Sequence, residues 1–265
     1  MTRTENRSPQ RLVRAATEEW SAPGPPVRGS LNLWLLDVRE LAGTTFSTAD
    51  LSAEERNRMA SFTRAEDRLR YAAAHVALRS LLASCLGAPP AGLVFTREPC
   101  PCCGAPHGRP SLEHQDLPLH FSLSHGGDLV LIGVASVPVG VDVEAVPDTE
   151  AALELANVLH ATERAEVFSA ARTEQPRLFT QLWTRKEAYL KGLGTGLGRD
   201  PAADYLGGAD TPPRPANWTL VDIETRPGHA AAAAVRGPVE DCRLMRLRPD
   251  LVLPRSSGEV FSISC

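Results

Sequence analysis

Two carboxylates in one strand-like segment give the clearest chemical signal in this sequence. In PVGVDVEAV, residues 138–146, Asp142 and Glu144 are two positions apart. Side chains alternate between the two faces of an extended strand, so both carboxylates share one face while Val141 and Val143 point into a core. Adjacent carboxylates repel each other unless a cation or a shared proton relieves the repulsion. The pattern therefore indicates either a cation site or the solvated acidic face of a half-exposed strand.

A third carboxylate lies on a helical pattern further along the chain. Glu187 follows Phe179 and Trp183 at intervals of four residues, so it shares a helical stripe with large apolar side chains. An unpaired buried charge is strongly unfavourable, and a metal ion or another cation beside Glu187 would compensate it. The simpler alternative is an ordinary i,i+4 ion pair with Lys191, worth about 0.2–0.5 kcal/mol.

Together, the three carboxylates offer a cation only oxygen ligands. Mg²⁺ takes such a set when it keeps several waters and shares the oxygens of a bound phosphate. The sequence thus points to a magnesium site formed by Asp142, Glu144 and Glu187.

The segment HFSLSHGGDLV, residues 120–130, places Ser124 and His125 just before two glycines. Adjacent strand residues point to opposite faces, so these two side chains are poorly placed as nucleophile and base. Ser122 also stands where the nucleophile elbow of hydrolases has glycine. Polar groups and open backbone N–H groups at a strand-to-turn junction suit a phosphate, and a capped hairpin is an equally good interpretation.

The segment CPCCGAPHG, residues 100–108, contains Cys100, Cys102, Cys103 and His107. Structural zinc sites usually take two separated ligand pairs, and adjacent Cys102 and Cys103 cannot easily share one tetrahedral ion. The sequence therefore favours a tight turn bounded by proline and glycine over a zinc site. Six cysteines in 265 residues are too few for a disulfide scaffold, which matches a reducing compartment.

The elements that must position these residues alternate between strands and helices. Strands are predicted in LHFSLSHGG, DLVLIGVAS and PVGVDVEAV, between residues 119 and 146. One helix is predicted over 152–171 and a second over 176–192, with Pro176 in its first turn and Gly192 at its end.

The N-terminal part follows a similar plan. Residues 1–28 are polar and rich in proline, which predicts a loosely ordered arm. A strand is predicted in NLWLLDVREL at 32–41, followed by two helices. Each helix is preceded by a pair with capping-box spacing: Ser52 with Glu55, and Thr63 with Glu66.

A short internal similarity suggests that this plan is used twice. LSAEER at 51–56 resembles LHATER at 159–164, and each follows a strand that carries Leu-Asp-Val or Val-Asp-Val. An α+β unit present in two copies would explain the match.

Composition limits the classes of partner. The net charge of −4, with 23% charged residues, lacks the basic field of a nucleic-acid-binding protein. No apolar run approaches the roughly 20 residues that span a bilayer, and the first residues lack the apolar segment of a secretory signal. We therefore expect a cytoplasmic protein that acts on a small molecule or a protein, with no membrane or nucleic-acid partner.

Four motifs resemble, in order and spacing, those of the Sfp-type 4′-phosphopantetheinyl transferases. They are GRP at 108–110, FSLSHGGDLV at 121–130, VGVDVEAV at 139–146 and FTQLWTRKEAYLKGLGTGL at 179–197. The similarity extends more loosely to 61–79 and to 218–235. Residues 1–28 and the CPCC turn fall outside it.

The resemblance implies an α+β pseudo-dimer of two similar halves, with the active site in the cleft between them. We place the halves at 29–136 and 137–265, after the arm at 1–28. By motif position Asp142, Glu144 and Glu187 would hold Mg²⁺ against the pyrophosphate of coenzyme A, with Lys191 positioning the reacting phosphate or the acceptor. The other residues expected to contact coenzyme A are Ser124, His125, Arg109 (where the family commonly has lysine), Arg58 and Arg70.

The implied activity is transfer of 4′-phosphopantetheine from coenzyme A to a serine of an apo carrier protein, with Glu187 as the candidate general base, directly or through a metal-bound water. Carriers of fatty acid, polyketide and nonribosomal peptide synthesis all present such a serine. A fused pseudo-dimer is expected to be a monomer. The alternatives are a serine hydrolase that uses Ser124, a non-catalytic module that binds coenzyme A or a carrier, and a zinc-binding interaction protein.

Overall fold

The computed structural model describes residues 11–13, 15–16, 22–41, 46–113, 117–208, 214–247 and 260–261. Within these ranges the α-helices are α1 (Ala53–Ala60), α2 (Ala65–Leu86), α3 (Thr149–Leu155), α4 (Ala161–Ser169) and α5 (Gln175–Leu193). The strands are β1 (Arg11–Val13), β2 (Ala15–Ala16), β3 (Ser30–Asp37), β4 (Phe46–Ser47), β5 (Phe95–Arg97), β6 (Pro110–Leu112), β7 (His120–Gly126), β8 (Leu129–Ala135), β9 (Val139–Ala145), β10 (Trp218–Ile223), β11 (His229–Arg236), β12 (Asp241–Arg246) and β13 (Val260–Phe261).

Two larger sheets organise the chain, and their central strands repeat one topology. The first sheet has the order β2-β12-β3-β8-β7 and the second the order β1-β10-β11-β9. In the first, β8 pairs antiparallel with both β3 and β7; in the second, β11 pairs antiparallel with both β9 and β10. The first unit consists of β3, the helices α1 and α2, and the hairpin β7–β8. The second unit repeats this order with β9, the helices α3 to α5, and the hairpin β10–β11, as expected for an α+β pseudo-dimer.

The short sequence repeat marks equivalent helix starts in the two units. Ser52 caps α1 and forms a capping box with Glu55, and His160 caps α4 and forms a capping box with Glu163. Each glutamate also binds a buried cation on the long helix of its own unit. Glu55 pairs with Arg79 of α2 at 2.8 Å, and Glu163 pairs with Lys186 of α5 at 2.8 Å.

The sheets are buried on both faces, which the continuous apolar strands make possible. Leu33 of β3, Leu131 of β8 and Val141 of β9 belong to one core that lies between the two sheets. Trp34 of β3 points the other way, into a second core that α2 covers. On the outer face of the second sheet, α5 packs against β11 through Ala188 and other small or apolar residues.

The structure corrects three predicted helix boundaries. The helix predicted over 152–171 is two helices, because the chain becomes extended at Leu159 and His160 starts α4. The helix predicted to end at Gly192 continues to Leu193, and Gly194 in the left-handed region closes it. The capping box expected at Thr63 is wrong: α2 starts at Ala65 without a side-chain cap.

Two short strands, β1 and β2, lie within the segment expected to be a loosely ordered arm, and they pair with β10 and β12. Residues 22–28 form no helix or strand, and the remainder of the arm lies outside the described residues. None of the helices described is long and apolar enough to cross a membrane.

Candidate active site

The candidate site forms where β7 and β9 meet the C-terminal half of α5. Close backbone approaches bring the three elements together. A Cβ atom at Gly126 of β7 would overlap the backbone of β9, and one at Gly140 of β9 would overlap the carbonyl oxygen of Ala188 in α5. Gly192 lies at the same crossing, with its backbone N–H against Gly140. These glycines let the helix lie directly on the strand that carries the acidic pair.

Lys191, Asp142 and Ser124 form a connected polar group in this crossing. The Lys191 ammonium lies 2.6 Å from Asp142 Oδ1 and donates to the Ser124 hydroxyl at 3.0 Å. The Ser124 hydroxyl donates in turn to Asp142 Oδ1 at 2.7 Å. Asp142 is almost fully buried, with 1% of its surface exposed. The ion pair that sequence spacing suggested for Lys191 and Glu187 is replaced by one with Asp142.

These three side chains open onto a cavity of about 330 Å³. Both strands and the helix contribute to its wall, which consists of Leu123, Ser124, His125, Asp142, Glu144, Trp183, Glu187 and Lys191. All three carboxylates predicted to act together thus face one cavity. The volume is within the range of small-molecule binding sites.

Burial and the charges of neighbouring groups shift the pKa values of two of these carboxylates. Burial, and then the charge of Asp142, raises the pKa of Glu144 to about 7, with Glu187 adding to the effect. Burial also raises the pKa of Glu187; Lys191 opposes this shift and Asp142 adds to it. A group of acids with raised pKa values favours any added cation, because the cation stabilises the ionised forms.

The residues fit a magnesium ion on two observations. Oδ2 of Asp142 is buried and accepts no hydrogen bond within the described part of the chain. The three side chains also supply oxygen ligands only, the chemistry that Mg²⁺ prefers. Among the described residues, the oxygens of Asp142, Glu144 and Glu187 do not all come within 4.8 Å of one another. A small ion that keeps waters suits this spacing better than one bound by protein atoms alone.

Of the other residues expected to contact coenzyme A, some line the cavity and others lie outside its wall. His125 lines the cavity, and burial, followed by the charges of Arg70 and Lys191, lowers the pKa of its imidazole. Arg70 is therefore close to the site, although it pairs with Asp67 at 2.9 Å and does not line the cavity itself. Arg58 lies over the ring of Phe62, with 4.9 Å between the guanidinium carbon and the ring centroid.

Arg109 lies at the other side of the α5 terminus. Its guanidinium pairs with Glu98 at 2.5 Å and donates to the carbonyl oxygen of Gly192 at 2.7 Å. Both contacts fix Arg109 beside the helix that carries Glu187 and Lys191, but Arg109 is not part of the cavity wall among the residues described.

The geometry gives no support to a serine hydrolase. The Ser124 hydroxyl is buried and directs its proton to Asp142 Oδ1. Lys191, the basic group in contact with it, is held in an ion pair with the same carboxylate. A nucleophilic serine needs a free base that accepts its proton.

Two features of the site were not predicted from the sequence. Trp183 was predicted only as part of an apolar stripe, yet it forms a wall of the cavity. Glu98 was not singled out, although it binds Arg109 across the β5–β6 connection. The contact between Glu98 and Arg109 depends on the pairing of β5 with β6, so the sequence around Glu98 alone does not predict it.

Comparison with known proteins gives two adjoining family matches. The family described as the 4′-phosphopantetheinyl transferase superfamily matches residues 138–233. The family described as 4′-phosphopantetheinyl transferase, N-terminal, matches residues 41–137. Together these matches include β7, β9 and α5, the three elements of the candidate site.

Several curated relatives share these regions. The chain is 31% identical to the 4′-phosphopantetheinyl transferase HetI of Nostoc sp. over 236 residues, which cover 81% of this chain and 93% of the relative. It is 26% identical to the 4′-phosphopantetheinyl transferase gsp of Aneurinibacillus migulanus, over 57% of this chain and 60% of the relative. It is 29% identical to the 4′-phosphopantetheinyl transferase Sfp of Bacillus subtilis, over 56% of this chain and 62% of the relative. The last two matches thus span about three fifths of the relatives' lengths.

Proposed function

Because the chain belongs to the 4′-phosphopantetheinyl transferase superfamily, we propose that it transfers 4′-phosphopantetheine from coenzyme A to a serine of an apo carrier protein. One observation about the cavity supports this activity independently of the family. Asp142, Glu144, Glu187 and Lys191 face a single cavity, and a buried oxygen of Asp142 has no hydrogen-bond partner among the described residues. This combination of three carboxylates and an ammonium group suits a substrate that carries phosphates and a divalent cation.

In this proposal each side chain has a distinct role. Asp142, Glu144 and Glu187 would hold Mg²⁺, which would neutralise charge on the pyrophosphate of coenzyme A. Lys191 orients the phosphate that reacts. Ser124 and His125, at the end of β7, bind the phosphates of the nucleotide. Arg109 contributes by fixing the end of α5, and Arg58 and Arg70 provide the positive charge toward which coenzyme A is drawn.

Glu187 is the proposed general base. Its carboxylate faces the cavity together with Lys191 and can accept a proton there, directly or through a metal-bound water. It takes the proton of the carrier's serine hydroxyl while the serine oxygen forms a bond to the phosphorus that bears pantetheine. The bond from that phosphorus to the bridging oxygen of the pyrophosphate breaks, and 3′,5′-adenosine bisphosphate leaves with that oxygen.

The proposed partners are coenzyme A and an apo acyl or peptidyl carrier protein, and the proposed setting is the cytoplasm. We propose a monomer, because the two units already supply both walls of one cleft. Carriers of fatty acid, polyketide and nonribosomal peptide synthesis differ in their surfaces around the serine, so the preferred carrier is a matter of surface contacts.

A transfer assay tests the proposal directly. The protein is incubated with coenzyme A, Mg²⁺ and each of a panel of apo carriers from the three pathways, and each carrier is weighed by mass spectrometry. We expect at least one carrier to gain one phosphopantetheine group, and its serine-to-alanine variant to gain none. Binding of coenzyme A without transfer to any carrier would contradict the proposal and support a non-catalytic binding module.

A further inference from the structure

A second group of metal-ligating side chains lies away from the carboxylates, in the connection between β5 and β6. The sulfur atoms of Cys100 and Cys103 and a ring nitrogen of His107 all lie within 4.8 Å of one another. Cys103 Sγ and His107 Nε2 are 3.1 Å apart. All three belong to the segment that the sequence favoured as a simple tight turn.

The backbone of this segment brings the ligating atoms together. The N–H of Gly104 donates to the carbonyl oxygen of Cys100 at 2.8 Å, and Gly104 has a φ of 74°, in the left-handed region. The N–H groups of Cys100 and His107 both donate to the carbonyl oxygen of Ala105, each at 2.8 Å. The chain therefore folds back on itself so that residues three and seven positions after Cys100 face its sulfur.

We propose that Cys100, Cys103 and His107 bind a zinc ion, with water in the fourth position. Two thiolates and an imidazole are the ligands that Zn²⁺ prefers, and oxygen-seeking ions such as Mg²⁺ do not compete for them. Ligand atoms of a tetrahedral zinc site are about 3.5–3.8 Å apart, given Zn–S and Zn–N distances of about 2.3 and 2.0 Å. Binding of the ion would therefore move Cys103 Sγ and His107 Nε2 slightly apart from their 3.1 Å separation.

Cys102 is not part of the proposed ligand set. The sequence argued against zinc because adjacent Cys102 and Cys103 cannot easily share an ion, but the structure groups Cys103 with Cys100, three residues away. Cys102 is exposed and outside the group of atoms within 4.8 Å.

The site would stabilise the segment that holds Arg109. The N–H of Glu98 donates to the carbonyl oxygen of Arg109 at 2.9 Å, so the two residues close the base of the loop that contains the ligands. The same pair forms the ion pair that fixes Arg109 against Gly192 at the end of α5. A metal ion that closes this loop removes conformational freedom from it and so keeps Arg109 beside α5.

Metal analysis of matched variants tests the inference. The purified full chain is dialysed against a weak chelator, and its zinc is measured by mass spectrometry. Cobalt is then added to the metal-free protein, and the sulfur-to-cobalt absorption is recorded. We expect one equivalent of zinc and a tetrahedral cobalt spectrum for the wild type and for Cys102→Ser. Cys103→Ser and His107→Ala should lose most of both signals while retaining the circular dichroism of the wild type.

Asp142→Asn separates this site from the carboxylates, because it should keep the full zinc equivalent and the cobalt spectrum. Two results would overturn the inference. One is a wild type that binds neither zinc nor cobalt under these conditions. The other is a Cys103→Ser protein that binds as much metal as Cys102→Ser.

Discussion

The ammonium of Lys191 lies 2.6 Å from Oδ1 of Asp142, across the contact between α5 and β9. Lys191 is one helical turn after Glu187, and that spacing alone would pair the two residues with each other. The close approach of the helix to Gly140 places the ammonium over the strand instead. Asp142 therefore has one oxygen engaged by Lys191 and Ser124, and a second, buried oxygen that accepts no hydrogen bond from the residues that the structure describes.

Asp142→Asn should reduce transfer by about 100-fold or more, because the variant loses the charge that holds both Lys191 and the proposed metal ion. Mass spectrometry of an apo carrier over time gives the rate. Asp241→Asn, at an exposed position of β12, is the matched control and should keep the wild-type rate. Near-normal turnover of the Asp142 variant would remove this residue from the mechanism.

Glu187→Gln should lower kcat by orders of magnitude and change the affinity for coenzyme A, measured without Mg²⁺, much less. Glutamine keeps the size of the side chain but cannot accept the serine proton at neutral pH. Binding of coenzyme A by calorimetry and transfer under saturating coenzyme A separate the two effects. Glu174→Gln at the start of α5, where the carboxylate is exposed and pairs with Arg177, should behave as the wild type. An equal loss in both variants would contradict the proposed role.

Magnesium affinity should increase as the pH rises through about 7. Burial and the neighbouring carboxylates raise the pKa of Glu144 to about 7, so below this pH a proton occupies the carboxyl and competes with the metal ion. Titration of Mg²⁺ against the transfer rate at several pH values between about 6 and 8 measures the dependence. In Glu144→Gln the affinity for Mg²⁺ should be lower than in the wild type, and it should depend less on pH.

The raised pKa of Glu144 also affects the stability of the metal-free protein, and this effect has the opposite pH dependence to the magnesium affinity. The folded pKa of Glu144 lies above its ordinary value, so between about 4.5 and 7 the folded protein holds a proton that the unfolded chain releases. The contribution of Glu144, measured as the difference in free energy of unfolding between the wild type and Glu144→Gln, should therefore fall as the pH rises through this window, and added Mg²⁺ should restore it. A metal-independent increase of this difference over that range would contradict the assignment.

Local patterns were sufficient to predict much of the fold. The strands that carry Ser124 and Asp142 follow from apolar runs between turn residues, and the structure places β7 and β9 there. The capping box of Ser52 and Glu55 depends on four consecutive residues and is present as predicted. The boundary at His160 was missed because histidine is an uncommon N-cap residue, so the apolar period seemed to continue through it.

Contacts between distant segments could not be predicted in the same way. Lys191 pairs with Asp142 because α5 lies close to β9, and this close packing is a property of the folded structure. The grouping of Cys100 with His107 depends on a left-handed glycine and on backbone hydrogen bonds inside the loop. Spacing in the sequence is compatible with these arrangements but equally with others.

Gly140→Ala should impair both stability and transfer. A Cβ atom at this position would overlap the carbonyl oxygen of Ala188, so α5 has to move away from β9. Overpacking of this kind typically costs about 1–3 kcal/mol of folding free energy. Chemical denaturation gives the stability, and the carrier assay gives the rate. Gly198→Ala is the control, because no atom lies within 4 Å of a Cβ there. If Gly140→Ala had the activity and stability of the control, the close approach would not be required.

The buried ion pair of Glu163 and Lys186 should be a main determinant of stability in the second unit. Both side chains are almost fully buried, with 0% and 1% exposed, and Glu163 also closes the capping box of α4. Glu163→Gln leaves the Lys186 ammonium without its counter-charge in the protein interior, which typically costs about 3–5 kcal/mol. The exposed pair of Glu174 and Arg177 is the comparison, since Glu174→Gln should cost less than about 1 kcal/mol. Urea unfolding of both variants measures the difference; equal midpoints would show that the buried pair contributes no more than a surface pair.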